Sequence, residues 1–287
     1  MSLTGSLVPR PVATRIAVTS GKGGVGKTSL AVNLAVAMSR LGHQVGLVDA
    51  DFALGSVDVF LGLTPELHLG AVLSGARSIS EVMLAGPSGI RVIPAGSGVR
   101  DLVSLDTARW SRMVDAMNDA GRDLDFLLFD TAPGIGDTVL DTIGLADYAV
   151  VITSFEPSAV VDAYAMIKLI SANDATKPIG LVVNAARDAE EANLVFRQIS
   201  TAAARFLNRT LSYDGYVLED RTLRDAELAQ IPVLETESTS PASRCIRRLA
   251  CRLAASRQTA VGPWSSRPGP MVSSSGTSSP GGTAPCA

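Results

Sequence analysis

Cysteine is missing from the first 244 residues. The three in this 287-residue chain are Cys245, Cys251 and Cys286. None of their spacings is that of a metal knuckle or a redox pair, so the chain is expected to work in a reducing cytoplasm. An iron–sulfur carrier, which needs thiolates beside its switch loop, is a poor reading. Long apolar runs are missing too. Nothing approaches the ~20 residues that cross a bilayer, and segments such as 148–152 are only strand-sized. Residues 1–14 carry no apolar stretch of the kind that marks a secretory signal. Positive charge is not in surplus either: 25 Lys and Arg face 28 Asp and Glu, a net charge of −3. That balance argues against direct DNA binding over a broad surface. What is abundant is apolar side chain, 46% of the residues, enough for one sizeable core.

Short β-branched runs alternate with longer stretches whose apolar residues recur at spacings of three and four. Strands are predicted over 15–20, 45–49, 90–94, 125–130, 148–153, 179–184 and 212–217, and helices over 27–41, 107–120, 158–171 and 190–207. The strands are apolar nearly throughout, as strands covered on both faces are. The fold class expected is therefore α/β: a doubly wound, mostly parallel sheet with helices on both faces. Residues 1–14 read as a flexible N-terminal segment, 15–257 as the folded domain, and 258–287, rich in Ser, Gly and Pro, as a disordered tail.

The first predicted strand runs into Gly21-Lys22-Gly23-Gly24-Val25-Gly26-Lys27-Thr28, and a helix follows. Strand, glycine loop and helix in this order form a phosphate-binding P-loop. Gly21, Gly23, Gly24, Val25 and Gly26 turn backbone N–H groups toward phosphate oxygens, and the helix start at Thr28 and Ser29 adds its partial positive charge. Lys27 is expected at the β- and γ-phosphates and the Thr28 hydroxyl on Mg2+. The run Phe126-Leu127-Leu128-Phe129-Asp130 is apolar and ends in an acid, the pattern of a strand whose carboxylate, Asp130, holds Mg2+ through water. Gly134 lies in the following glycine-containing turn, where a backbone N–H can sense the γ-phosphate. Asp49 and Asp51 end the second strand and Asn184 the sixth, at the carboxyl edge where open α/β sheets bind ligands. Turn or helix-cap roles are the alternative for Asp49, Asp51, Asn184 and Asp220.

Lys22 is one lysine more than a phosphate cradle requires. With it the loop resembles the deviant Walker A ATPases of the MinD/ParA family. The segments Asp49-Ala50-Asp51-Phe52-Ala53-Leu54-Gly55, Arg91-Val92-Ile93-Pro94-Ala95-Gly96, Asp162-Ala163-Tyr164-Ala165-Met166 and Val182-Val183-Asn184-Ala185 extend the likeness to that family's flagellar-number regulators, the FlhG/FleN group, over about 15–253. The resemblance implies a slow, partner-stimulated ATPase that uses ATP, ADP and Mg2+ and forms a homodimer with ATP. It makes Lys22 and Lys27 catalytic, with Lys22 reaching the partner subunit's nucleotide. Asp51 orients the attacking water, Asp49 lies near the Mg2+ hydration shell, Asn184 recognises the base, and Asp220 belongs to a second nucleotide-side loop. It further implies a flagellar GTPase of the FlhF type and a transcriptional activator of the FleQ type as partners. A peripheral contact with the inner face of the cell membrane is also implied, through a C-terminal amphipathic helix. Here 242–255 has Ile246, Leu249, Ala250 and Leu253 opposite Arg244, Arg247, Arg248 and Arg252, a face equally suited to packing on the domain. A positioning or DNA-partition ATPase of the same family, and a P-loop metabolic ligase, are the competing readings.

Overall fold

The computed structural model describes residues 13–96, 106–236 and 239–256. In chain order these form β1 (Thr14–Thr19), α1 (Lys27–Arg40), β2 (Val45–Ala50), α2 (Val57–Phe60), α3 (Leu69–Leu73), α4 (Ile79–Val82), β3 (Leu84–Ala85), β4 (Arg91–Ile93) and α5 (Thr107–Ala120). After them come β5 (Phe126–Thr131), α6 (Asp137–Gly144), β6 (Tyr148–Thr153), α7 (Pro157–Asn173), β7 (Ile179–Ala186), α8 (Ala189–Leu207), β8 (Ser212–Leu218), α9 (Arg221–Leu228) and α10 (Pro241–Ser256). The strands lie in one sheet, ordered β3-β4-β2-β5-β1-β6-β7-β8. Every pairing is parallel except the two-residue β3 against β4.

Each strand feeds both faces by simple alternation. Ile16 and Val18 of β1, with Phe126 and Leu128 of β5, join the core under α1 and α10. Ala17, Leu127 and Phe129 join the opposite core, under α5, α7 and α8. Eleven of the fourteen residues of α1 are buried, because the helix is covered by the sheet on one side and packs against α10 on the other.

The long elements lie close to their predicted bounds, and α5 and β6 match them. Three differences are informative. Thr14 already belongs to β1 and Ala13 is buried, so the folded domain begins before residue 15; residues 1–12 and the tail 258–287 lie outside the described residues. The short helices α2, α3, α4, α6 and α9 carry too few turns for a periodic signal and were not expected. The helix over 242–255 is present, but Ile246, Leu249, Ala250 and Leu253 are buried against β8 and α1. The apolar face of this helix is therefore occupied by the protein's own core, the packing alternative read from the sequence.

Candidate functional site

Parallel strands end on one edge of the sheet, and that edge collects the candidate residues. Because β5 lies between β1 and β2, Asp130 sits beside Val18 on one side and Asp49 on the other. The loop after β1 then delivers Lys27 and Thr28 onto Asp130. Lys27 Nζ is 2.9 Å from Oδ1 of Asp130, and Thr28 Oγ1 donates to Oδ2 at 2.6 Å. Asp130 is fully buried. Burial pushes its carboxyl above the usual range, and the Lys27 ammonium and the two hydrogen bonds pull against that. The Thr28 hydroxyl and the Asp130 carboxylate are hard oxygen donors held together, a set that suits Mg2+.

Gly26 shows why the loop needs glycine. It has a φ of 87°, and a Cβ there would collide with Nδ2 of Asn184. The Asn184 amide packs against the loop and donates to the Val25 carbonyl at 2.8 Å. Lys22 does not point into its own loop. Its Nζ lies 2.8 Å from Oε2 of Glu156 and 3.0 Å from Oγ of Ser158 at the start of α7. Glu156 and Ser158 were not singled out in the sequence; Pro157 at the first helical position is the signal that a helix, and so a cap, begins there.

Asp49 is also fully buried, and its two oxygens accept three backbone N–H groups. Asp51 donates at 3.1 Å, Ser56 at 2.7 Å and Val57 at 3.0 Å. Burial raises its carboxyl to about 7, the Val57 N–H opposes this, and the charge of Asp130 adds to it. Asp49 thus organises the 51–57 turn, as the cap alternative foresaw, and brings Ser56 Oγ to 3.3 Å from Thr28 Oγ1. Asp51, nearly buried, accepts from the Leu54 N–H at 3.1 Å. Gly134, with φ 94°, donates its N–H to the Ser20 carbonyl at 3.1 Å, so the group expected at the γ-phosphate is here engaged with the end of β1.

A cavity of about 360 Å3 opens beside the loop, bounded by Gly24, Asn184, Leu218, Asp220 and the α9 residues Leu223 and Arg224. Asp220 reaches this cavity wall but its carboxylate is already used. Oδ1 accepts from the Thr222 N–H at 2.9 Å and Oδ2 from the Ala242 N–H at 3.0 Å. Its slight burial would raise the carboxyl, but the Ser240 hydroxyl and these N–H groups hold it below the ordinary range. Leu223 and Arg224 were not foreseen, because α9 is polar and buries only Ala226. No helix of the described residues is long and apolar enough to cross a membrane.

Comparison with known proteins gives one direction. Residues 11–254 match the ParA family model described as the NUBPL iron-transfer P-loop NTPase. The chain is 38% identical to the antiactivator FleN of Pseudomonas aeruginosa over 250 residues, 87% of this chain and 88% of that protein. It is 32% identical to the flagellum site-determining protein YlxH of Helicobacter pylori over 66% of this chain and 63% of that one. Among solved structures, the MinC:MinD cell division protein complex of Aquifex aeolicus superposes with a TM-score of 0.68 at 28% identity, covering 85% of this chain and 96% of that one.

Proposed function

The chain belongs to the MinD/ParA family of P-loop ATPases, in its FlhG/FleN group, and from that premise we propose that it is an ATP-driven dimerising switch that controls flagellar number through partner proteins. The observation that carries this reading is the second loop lysine: Lys22 is held outside its own phosphate cradle, on Glu156 and Ser158, in a chain 38% identical to FleN.

Hydrolysis in such a site needs positioning and charge neutralisation more than covalent chemistry. The loop N–H groups of Gly21 to Ser29 bind the phosphates, and Lys27 exchanges Asp130 for the β- and γ-oxygens. Thr28 and Asp130 would hold Mg2+, which would supply neutralising charge on the phosphates. Asp49 fixes the 51–57 turn so that Asp51 is placed to orient water. Asn184 has its Nδ2 committed to Val25, which leaves the amide oxygen as the acceptor for a base and favours the adenine amino group. Lys22 leaves Glu156 and Ser158 when two subunits meet, and reaches the partner subunit's phosphates. Loss of the γ-phosphate is read by Gly134, whose N–H alternates between that phosphate and Ser20. A GTPase of the FlhF type and an activator of the FleQ type are the partners this switch addresses.

The reading is tested by replacing the chromosomal gene with a Lys22→Ala copy and counting flagella per cell. An altered number, matched by the gene deletion, is expected. An unchanged number in both strains would contradict a flagellar role and favour another positioning ATPase of the family. Salt-sensitive, ATP-dependent binding to nonspecific DNA would point to partition instead.

A further inference from the structure

The cavity beside the P-loop has one wall that is poorly anchored. Helix α9 is eight residues long and buries only Ala226, yet Leu223, Arg224 and Glu227 line the cavity. A helix this short gains little from its own hydrogen bonds, and its apolar anchors are one buried alanine and the half-buried Leu223. Beyond its C-terminal end, Gln230 Nε2 donates to the Val59 carbonyl at 2.8 Å. At its N-terminal end Arg224 Nη2 pairs with Oε1 of Glu219 at 2.7 Å on the exposed surface, and Oδ1 of Asp220 caps α9 through Thr222.

The second oxygen of Asp220 makes the cap unusual, because it accepts from Ala242, in the first turn of α10. Pro241 has no N–H, and Ser243 N–H donates to Oγ of Ser240 at 3.2 Å. Asp220 therefore takes the one early donor of α10 that Ser240 does not serve. The two helices differ sharply in anchorage: α10 buries Ala242, Ile246, Leu249, Ala250 and Leu253 and packs on β8 and α1. A carboxylate between two helix N-termini is also favoured by both dipoles.

We propose that Asp220 is a positioning residue that ties the α9 wall of the nucleotide cavity to the docked α10, so that affinity for the nucleoside half of the ligand, and not for its phosphates, depends on this tie. The proposal rests on the nucleotide reading above. It deepens that reading by making the distal helix part of the nucleoside site without touching the ligand. Linkage is reciprocal: a nucleoside seated against α9 steadies the first turn of α10.

The test is calorimetric titration of the full chain with ADP and with inorganic tripolyphosphate, which has no nucleoside. It compares wild type, Asp220→Asn and Asp220→Ala. Asparagine is a good N-cap and keeps the chain folded, but its amide has one acceptor oxygen and so serves one helix only. Loss of a cap bond predicts ADP binding weaker by about fivefold in the Asn variant and by about tenfold or more in the Ala variant. Tripolyphosphate affinity stays within about twofold of wild type in all three proteins, as it should if the tie does not reach the P-loop. Amide exchange adds an independent readout: ADP slows exchange at Ala242 and Ser243 in the wild type and not in Asp220→Ala. Equal weakening of both ligands, or unchanged ADP binding in both variants, would overturn the tie. A wild-type protein that binds ADP no better than pyrophosphate, its phosphate-matched fragment, would instead overturn the nucleoside cavity itself, and the tie with it.

Discussion

The proposed phosphate half and nucleoside half of this site share one sheet edge but are built by different means. Asp49 and Asp130 belong to the central strands β2 and β5 and are fully buried, and Lys27 and Thr28, at the start of the buried helix α1, contact Asp130 at 2.9 and 2.6 Å. Asn184, Asp220 and α9 stand at β7, β8 and a thinly packed helix on the sheet's margin. The first half is rigid because the core makes it so. The second is held by a few directed hydrogen bonds.

The largest expected effect lies in the phosphate half. Lys27→Met removes the ammonium that opposes Asp130 and should abolish measurable ATP turnover. Breaking a buried pair from one side also costs roughly 3–5 kcal/mol, read by urea denaturation. If turnover survived within tenfold, the central half would not be the catalytic one. Next comes Leu249→Ala in α10, which removes a side chain buried against the sheet and should cost about 3 kcal/mol. At temperatures where the variant is still folded, ADP should suffer more than tripolyphosphate. Equal losses would erase the distinction between the halves.

A smaller effect lies beneath the nucleoside half. The Tyr148 hydroxyl of β6 donates to Asp214 of β8 at 2.8 Å, across β7 at Gly180, where a Cβ would strike the Asp214 carboxylate. Burial raises Asp214 to about 6, against the hydrogen bond from Tyr148 and the charge of Arg252. The folded state thus holds this proton more tightly than the unfolded state. Its contribution to stability is fully present below pH ~4 and is lost as pH rises through ~6. Asp214→Asn should flatten that part of the stability–pH curve and add about 1–2 kcal/mol above pH 7, measured by thermal or urea unfolding. A variant whose slope matched wild type would place the titration elsewhere. The smallest effect is Asn184→Ala, which loses about one hydrogen bond, roughly 1 kcal/mol, from ADP binding and from adenine preference over guanine. Because the Asn184 amide also braces the P-loop through the Val25 carbonyl, tripolyphosphate binding should weaken too, but less than ADP binding.

The same contrast decides what was legible in the sequence. The P-loop, the aspartates and the long strands are read directly, because central parallel strands are continuously apolar and the loop's glycines have a local conformational reason, as at Gly26. The partners of those residues are not local. Lys22 finds Glu156 and Ser158 more than 130 residues away, and nothing in the composition of 221–228 announces a cavity wall. Asp220 lines the cavity beside the loop, but only folding shows that both its oxygens are engaged by helix N-termini. The amphipathic pattern over 242–255 was visible too; which surface it covers depends on α1 and β8, and that is a tertiary fact.

The central claim is that Lys22 exchanges a bond within its own chain for one across a dimer. Molecular mass by light scattering, with ADP and with a nonhydrolysable ATP analogue, tests it most directly in wild type and Lys22→Ala. The account predicts a monomer with ADP, a dimer with the analogue, and a monomer with both ligands for Lys22→Ala. A wild-type protein that stays monomeric with the analogue, or a Lys22→Ala protein that dimerises as wild type does, would contradict it.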